Sequence, residues 1–103
     1  MTRDVTDASD RNRVTLVHAE ACHFCTEAGE ALEELARTFA LDVRNVPADS
    51  DEGRALVTEH RPAMSPLVLL DGEFFSHGRL PRKKLTRLLE ARAAERVGAG
   101  RGN

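Results

Sequence analysis

The stretch that most constrains this chain is His18-Ala19-Glu20-Ala21-Cys22-His23-Phe24-Cys25. The apolar run Val14-Thr15-Leu16-Val17 precedes it and a long amphipathic pattern follows. In an intracellular chain, the order strand, short loop, Cys-x-x-Cys, helix reads as a dithiol redox site. Cys22 and Cys25 are the only two cysteines among 103 residues. A helix beginning near Cys22 leaves its first backbone N–H groups without intrahelical partners and carries partial positive charge at that end. Both effects favour a thiolate, the nucleophile of disulfide exchange. Cys22, at the outer end, is expected to attack first. Cys25, nearly one helical turn further in, is expected to resolve the mixed disulfide. His23, when protonated, favours the Cys22 thiolate further, and Phe24 offers an apolar surface beside the sulfurs. The competing reading is a pair of buried structural cysteines that share a helix turn, and the strand–loop–helix context speaks against it.

The rest of the composition removes several other classes of function. A chain of this length makes one domain, and 41% hydrophobic residues support a modest core. A formal net charge of −2 argues against a nucleic-acid binder that works by charge. Trp and Tyr are absent, which weakens any proposal of base stacking or aromatic ligand boxes. No apolar run approaches the roughly 18 to 20 residues that span a membrane. The polar start, Met1-Thr2-Arg3-Asp4, has no hydrophobic signal region, so a cytoplasmic location is expected. In that reducing environment a lone dithiol is more often catalytic or metal-binding than a structural staple.

Residues 1–12 are rich in Asp, Thr, Ser and Arg without apolar period and read as a flexible leader. The folded domain is expected over residues 13–97, with a Gly-rich tail at 98–103 that frays. Arg13 to His18 suits a buried parallel strand. A helix follows from about His23 to Ala40, with Ala28, Ala31, Leu32, Leu35, Ala36 and Phe39 on its apolar face. Its acids cluster early and Arg37 lies late, as the dipole prefers. Gly29 suggests a close approach of some neighbour. Leu41-Asp42-Val43-Arg44-Asn45-Val46 reads as a second strand ended by Pro47. Asp49 to Glu52 supplies capping chemistry for a short helix reaching His60. Leu67 to Leu70 is a compact apolar strand, Asp71-Gly72 a hairpin turn, and Glu73 to His77 the returning strand. Pro81 opens a last helix with Leu85, Leu88, Leu89 and Ala93 on its apolar face. The order is β-α-β-α-β-β-α, an α/β domain whose first two strands are parallel with a right-handed crossover.

With these elements in place, residues 13–94 resemble the thioredoxin superfamily, and within it the short glutaredoxin-like branch. Three features carry the resemblance: Cys22-His23-Phe24-Cys25 after the first strand, Ser65-Pro66 before the third, and the Asp71-Gly72 hairpin followed by a helix. It implies a thioredoxin fold with a four-stranded mixed sheet flanked by helices. It further implies that Pro66 is cis and lies against the dithiol, and that Ser65 offers backbone groups to an extended substrate. The implied activity is thiol–disulfide exchange on a protein or small-molecule disulfide, recharged by a cellular thiol reductant, with no bound cofactor. The sequence also departs from the family. Ala21 and His23-Phe24 stand where thioredoxins carry Trp and Gly-Pro. Ala19, Glu20 and Ala21 supply none of the positive charge by which glutaredoxins hold glutathione. His77-Gly78-Arg79 keeps one glycine of their Gly-Gly pair. Arg79 offers a guanidinium to a carboxylate there, yet glutathione as the reductant is disfavoured.

Two rival classes remain. Cys22 and Cys25 with a histidine suit zinc or another thiophilic metal, but a structural zinc site needs four ligands and no second Cys-x-x-Cys exists, so no metal site is expected. An iron–sulfur cluster shared between two subunits would further require dimerisation, whereas nothing in the sequence demands more than a monomer. A non-enzymatic adaptor could use the basic residues Arg79, Arg82, Lys83, Lys84 and Arg87, although runs of this kind are usually solvated helix surface. Neither nucleic acid nor membrane is an expected partner.

Overall fold

The computed structural model describes residues 12–101, and their side chains as far as Glu95. The elements follow the expected order: β1 (Asn12–His18), α1 (His23–Ala36), β2 (Leu41–Pro47), α2 (Asp51–His60), β3 (Leu67–Leu70), β4 (Glu73–His77) and α3 (Arg82–Arg101). They form one mixed sheet in the order β2-β1-β3-β4. β1 and β2 run parallel, with Leu16 opposite Asn45 and Val17 opposite Val46. β3 is antiparallel to both β1 and β4.

Side-chain alternation along the strands splits the core in two. Val14, Leu16, Val68 and Leu70 face α1 and α3, where they meet Ala28, Ala31, Leu32, Leu85 and Leu89. Val17, Val46, Leu67 and Leu69 face the other way, against Leu56 and Val57 of α2. β3 is therefore covered on both faces, which is why its four residues are all apolar. Burying a leucine such as Leu32 completely contributes about 1.5–3 kcal/mol, and Leu32 has no exposed surface.

Several boundaries differ from the sequence reading. Asn12, assigned to the leader, is the buried first residue of β1, and its side-chain amide donates to the Ala40 carbonyl at 3.1 Å. The rest of that leader lies outside the described residues. α1 stops at Ala36 rather than Ala40. The Arg37 and Thr38 N–H groups reach back only three residues, to Glu34 and Leu35, and this tightened turn brings Phe39 onto the core and the chain into β2. Ala36 is exposed, and no acid stands in the first turn of α1, whose carboxylates begin at Glu27. α3 runs to Arg101, into the stretch expected to fray, while residues 102–103 lie outside the described residues.

The remaining joints are local. Asp71 and Gly72 both have positive φ, 53° and 85°, the backbone of a two-residue hairpin turn. Ser50 caps α2 by accepting the Gly53 N–H at 3.0 Å. Arg44 of β2 pairs with Glu52 of α2, and the guanidinium holds the Glu52 carboxyl below the usual carboxylate range. No helix of the described residues is long and apolar enough to cross a membrane.

Candidate active site

β1 ends at His18, and three residues turn the chain into α1. Ala21 makes that turn with φ 49°, in the left-handed region. Cys22 is the N-cap of α1, with extended backbone, and its Sγ accepts the Cys25 N–H at 3.1 Å. The sulfur thus occupies the place where a capping oxygen usually satisfies an orphan donor. Cys25 lies in the first turn, and its Sγ accepts the Ala19 N–H at 3.4 Å. The two cysteines are joined as a disulfide, with Cα atoms 5.2 Å apart. Their exposure is unequal: Cys22 is half-buried, whereas Cys25 is 7% exposed.

His23 points into solvent, its side chain 80% exposed, and its Nε2 lies 3.1 Å from Glu27 Oε2 one turn along. Phe24 is half-buried, with its ring centroid 6.3 Å from that of His23. The Ser65–Pro66 peptide is cis. Pro66 is fully buried, and its carbonyl accepts the Gly78 N–H at 2.9 Å. Ser65 is half-buried. Among the described residues, no backbone hydrogen bond engages its N–H or C=O.

No family model matches the sequence, and no curated protein matches it. Solved structures do. Over 90% of this chain and 88% of the other, it superposes on chloroplastic thioredoxin z with a TM-score of 0.64 at 20% identity. A point variant of thioredoxin from Halobacterium salinarum matches with a TM-score of 0.58 at 25% identity, covering 85% of this chain and 79% of that one. A thioredoxin from Thermus thermophilus gives 0.54 at 20% identity, over 95% and 85% of the two chains. This is a thioredoxin-fold protein. A Cys-x-x-Cys pair bonded at the head of the first helix of such a fold is the equipment of a thiol–disulfide oxidoreductase in the general sense.

The thioredoxin-fold protein gathers around its sulfurs some residues that the sequence did not single out. A shallow cavity at Cys22 and Cys25 is lined by His18, Asn45, Gly29, Glu30 and Glu33. Asn45 arrives through the parallel register, opposite Leu16, which no local pattern announces. Gly29 faces this cavity, and a Cβ built there meets only Leu16 Cδ2 at 3.9 Å, so no neighbour approaches closely. Arg79 does not line it. It borders a separate groove along α1, with Glu27, Glu30, Glu34 and Arg82, in which Arg82 pairs with Glu34 at 2.7 Å. The rest of the basic run is exposed along α3, Lys84 included, although its ammonium sits 5.3 Å from the centre of the Phe75 ring. His60, the last residue of α2, has a side chain only 14% exposed. Among the described residues no group of three His, Cys, Asp or Glu side chains is placed to hold a metal ion.

Proposed function

We propose that the protein reduces protein disulfides, with Cys22 as nucleophile and Cys25 as resolving thiol. The observation that carries this reading is the asymmetry of the pair. Cys22 holds the N-cap and is only half-buried, and Cys25 is enclosed one turn behind it. In the reduced protein the Cys25 N–H and the helix dipole both act on Cys22 Sγ and favour its thiolate. That thiolate attacks one sulfur of the substrate disulfide, forms a Cys22–substrate disulfide and expels the other sulfur as a thiolate. Cys25, deprotonated, then attacks Cys22 Sγ, closes the Cys22–Cys25 bridge and releases the second substrate thiolate. Two electrons pass from the dithiol to the substrate, and the protein is left with the Cys22–Cys25 disulfide.

Ser65 and Pro66 receive the incoming chain, since the Ser65 backbone is left for extended pairing with a substrate strand. Phe24 provides apolar contact beside the sulfurs. Arg79 stands across the groove from α1, where its guanidinium takes a substrate carboxylate. We assign the reductant to cellular dithiols rather than glutathione. The α1 flank beside the pair carries Glu27, Glu30 and Glu33, the same sign as the carboxylates of glutathione.

Trapping tests the assignment. Cys25→Ser incubated with insulin should accumulate a mixed disulfide on Cys22, identified by mass spectrometry and released by dithiothreitol. Cys22→Ser should form none. An adduct through Cys25 in Cys22→Ser at the same rate would reverse the two roles, and no adduct in either variant would remove the activity.

A further inference from the structure

We propose that His77 is a positioning residue for substrate binding, acting with Gly78 as a clamp on residues 63–66. The inference rests on the reading of Ser65–Pro66 as the segment that receives substrate. Between the end of α2 and β3 the chain runs from Arg61 to Pro66 without helix or strand. Ala63 is exposed and Met64 is 51% exposed, so little apolar burial fixes this loop. Two consecutive residues at the end of β4 hold it instead. The Ala63 N–H donates to His77 Nδ1 at 2.8 Å, and the Gly78 N–H donates to the Pro66 carbonyl at 2.9 Å. Gly78 also has φ 76°, and a Cβ there would stand 3.2 Å from Met64 Sδ, so the strand end closes onto Met64 as well. Residues 63, 64 and 66 are gripped, and Ser65 lies between them with its own backbone groups unused among the described residues. The His77 ring is itself oriented by Phe74, whose ring meets it edge-on at 5.6 Å.

The bond sets the chemistry of the clamp. To accept the Ala63 N–H, Nδ1 must be bare, so the ring carries its hydrogen on Nε2. The side-chain oxygen of asparagine can take the place of Nδ1 as acceptor, whereas alanine supplies nothing. Losing one such bond loosens Ala63 and Ser65 without touching either sulfur. The cost falls on substrates that pair with the loop backbone.

The test compares His77→Ala and His77→Asn with the wild-type full chain, using dithiothreitol as reductant and two probes, insulin and bis(2-hydroxyethyl) disulfide. Removing a neutral hydrogen bond should raise the KM for insulin in His77→Ala by about three- to tenfold. The kcat should hold, and His77→Asn should recover most of the loss. Bis(2-hydroxyethyl) disulfide has no peptide backbone, and its KM should not follow. Equal insulin KM in all three proteins, or an Asn variant as impaired as the Ala variant, overturns the proposal. So does a parallel rise for both disulfides. If wild-type protein reduces neither disulfide, the proposed function fails, and the clamp is judged on the Ala63 amide by ¹⁵N NMR. Its hydrogen exchange should quicken in His77→Ala and not in His77→Asn, and identical exchange in all three overturns the clamp.

Discussion

Between Cys22 and Cys25 stand a titratable ring and an apolar one, and the ring that carries charge is the one that solvent screens. His23 is four-fifths exposed and shares its Nε2 with the Glu27 carboxylate. An imidazolium near Cys22 stabilises the thiolate, hence the reduced protein, and makes the disulfide more oxidising. Glu27 opposes that effect. Because both side chains reach into water, the balance is small. At a pH low enough to protonate imidazole, His23→Gly should make the potential more negative by about 10–20 mV, since tenfold in the exchange equilibrium is 29.6 mV. Glu27→Gln should move it the other way. Equilibration in dithiothreitol or glutathione buffers, read by thiol labelling and mass spectrometry, measures both. An unchanged potential in the two variants would rule out His23 as a tuner of the pair. Ala21, just before the nucleophile, works on geometry rather than charge. Its left-handed backbone turns β1 into the N-cap, at about 1–2 kcal/mol for a residue with a Cβ.

At the scale of elements, two glycines that look alike in sequence answer to different neighbours. Gly29 and Gly53 both sit inside helices, where each costs up to about 1 kcal/mol against alanine. A Cβ on Gly29 finds an ordinary contact. One on Gly53 would overlap the Pro47 carbonyl oxygen and stand 2.9 Å from Ala48 Cα, because the first turn of α2 lies against the end of β2. Gly29→Ala should therefore raise stability by up to about 1 kcal/mol, and Gly53→Ala should lower it by about 1–3 kcal/mol as α2 is pushed off the sheet. Urea unfolding of the oxidised proteins gives both signs, and a neutral Gly53→Ala would show that α2 shifts freely on β2. Periodicity and turn chemistry made the seven elements and the dithiol legible, because each is written in neighbouring residues: the apolar spacing of α1, the capping Ser50, the Asp71-Gly72 turn. What stayed hidden depends on register. A two-residue turn that pairs Leu70 with Glu73 would place Ser76 opposite Leu67, but a bulge at Phe75 puts His77 there. That one-residue shift carries His77 and Gly78 to the loop before β3, and nothing near Phe75 in the sequence announces it.

Across the whole molecule, the sheet separates the chemistry from the joint that closes the fold. β1 delivers the chain to the dithiol at its His18 end. At its Asn12 end, about 20 Å away for a strand of this length, lies a second constellation that no sequence motif marks. Arg92 of α3 donates through Nη1 to Asn12 Oδ1 at 2.9 Å and lies 2.6 Å from Asp71 Oδ2 in the β-hairpin turn. Asp71 in turn accepts the Arg13 N–H at 3.1 Å through Oδ1. Residues 80 positions apart thus meet, tying the last helix to the first strand and to the hairpin. The guanidinium and the carboxylate are each about a third to two-fifths exposed, so solvent weakens the pair but the hydrogen bond to the buried Asn12 persists. Arg92→Ala should lower the unfolding free energy by about 1–2 kcal/mol. It should leave the Cys22–Cys25 potential and insulin turnover where they are, because sites this far apart with no shared partners act independently. Denaturant unfolding and the redox titration on the same variant decide it. A potential that shifted with Arg92→Ala would mean that β1 transmits strain from one end of the sheet to the other, and that the dithiol is tuned by how firmly α3 is fastened.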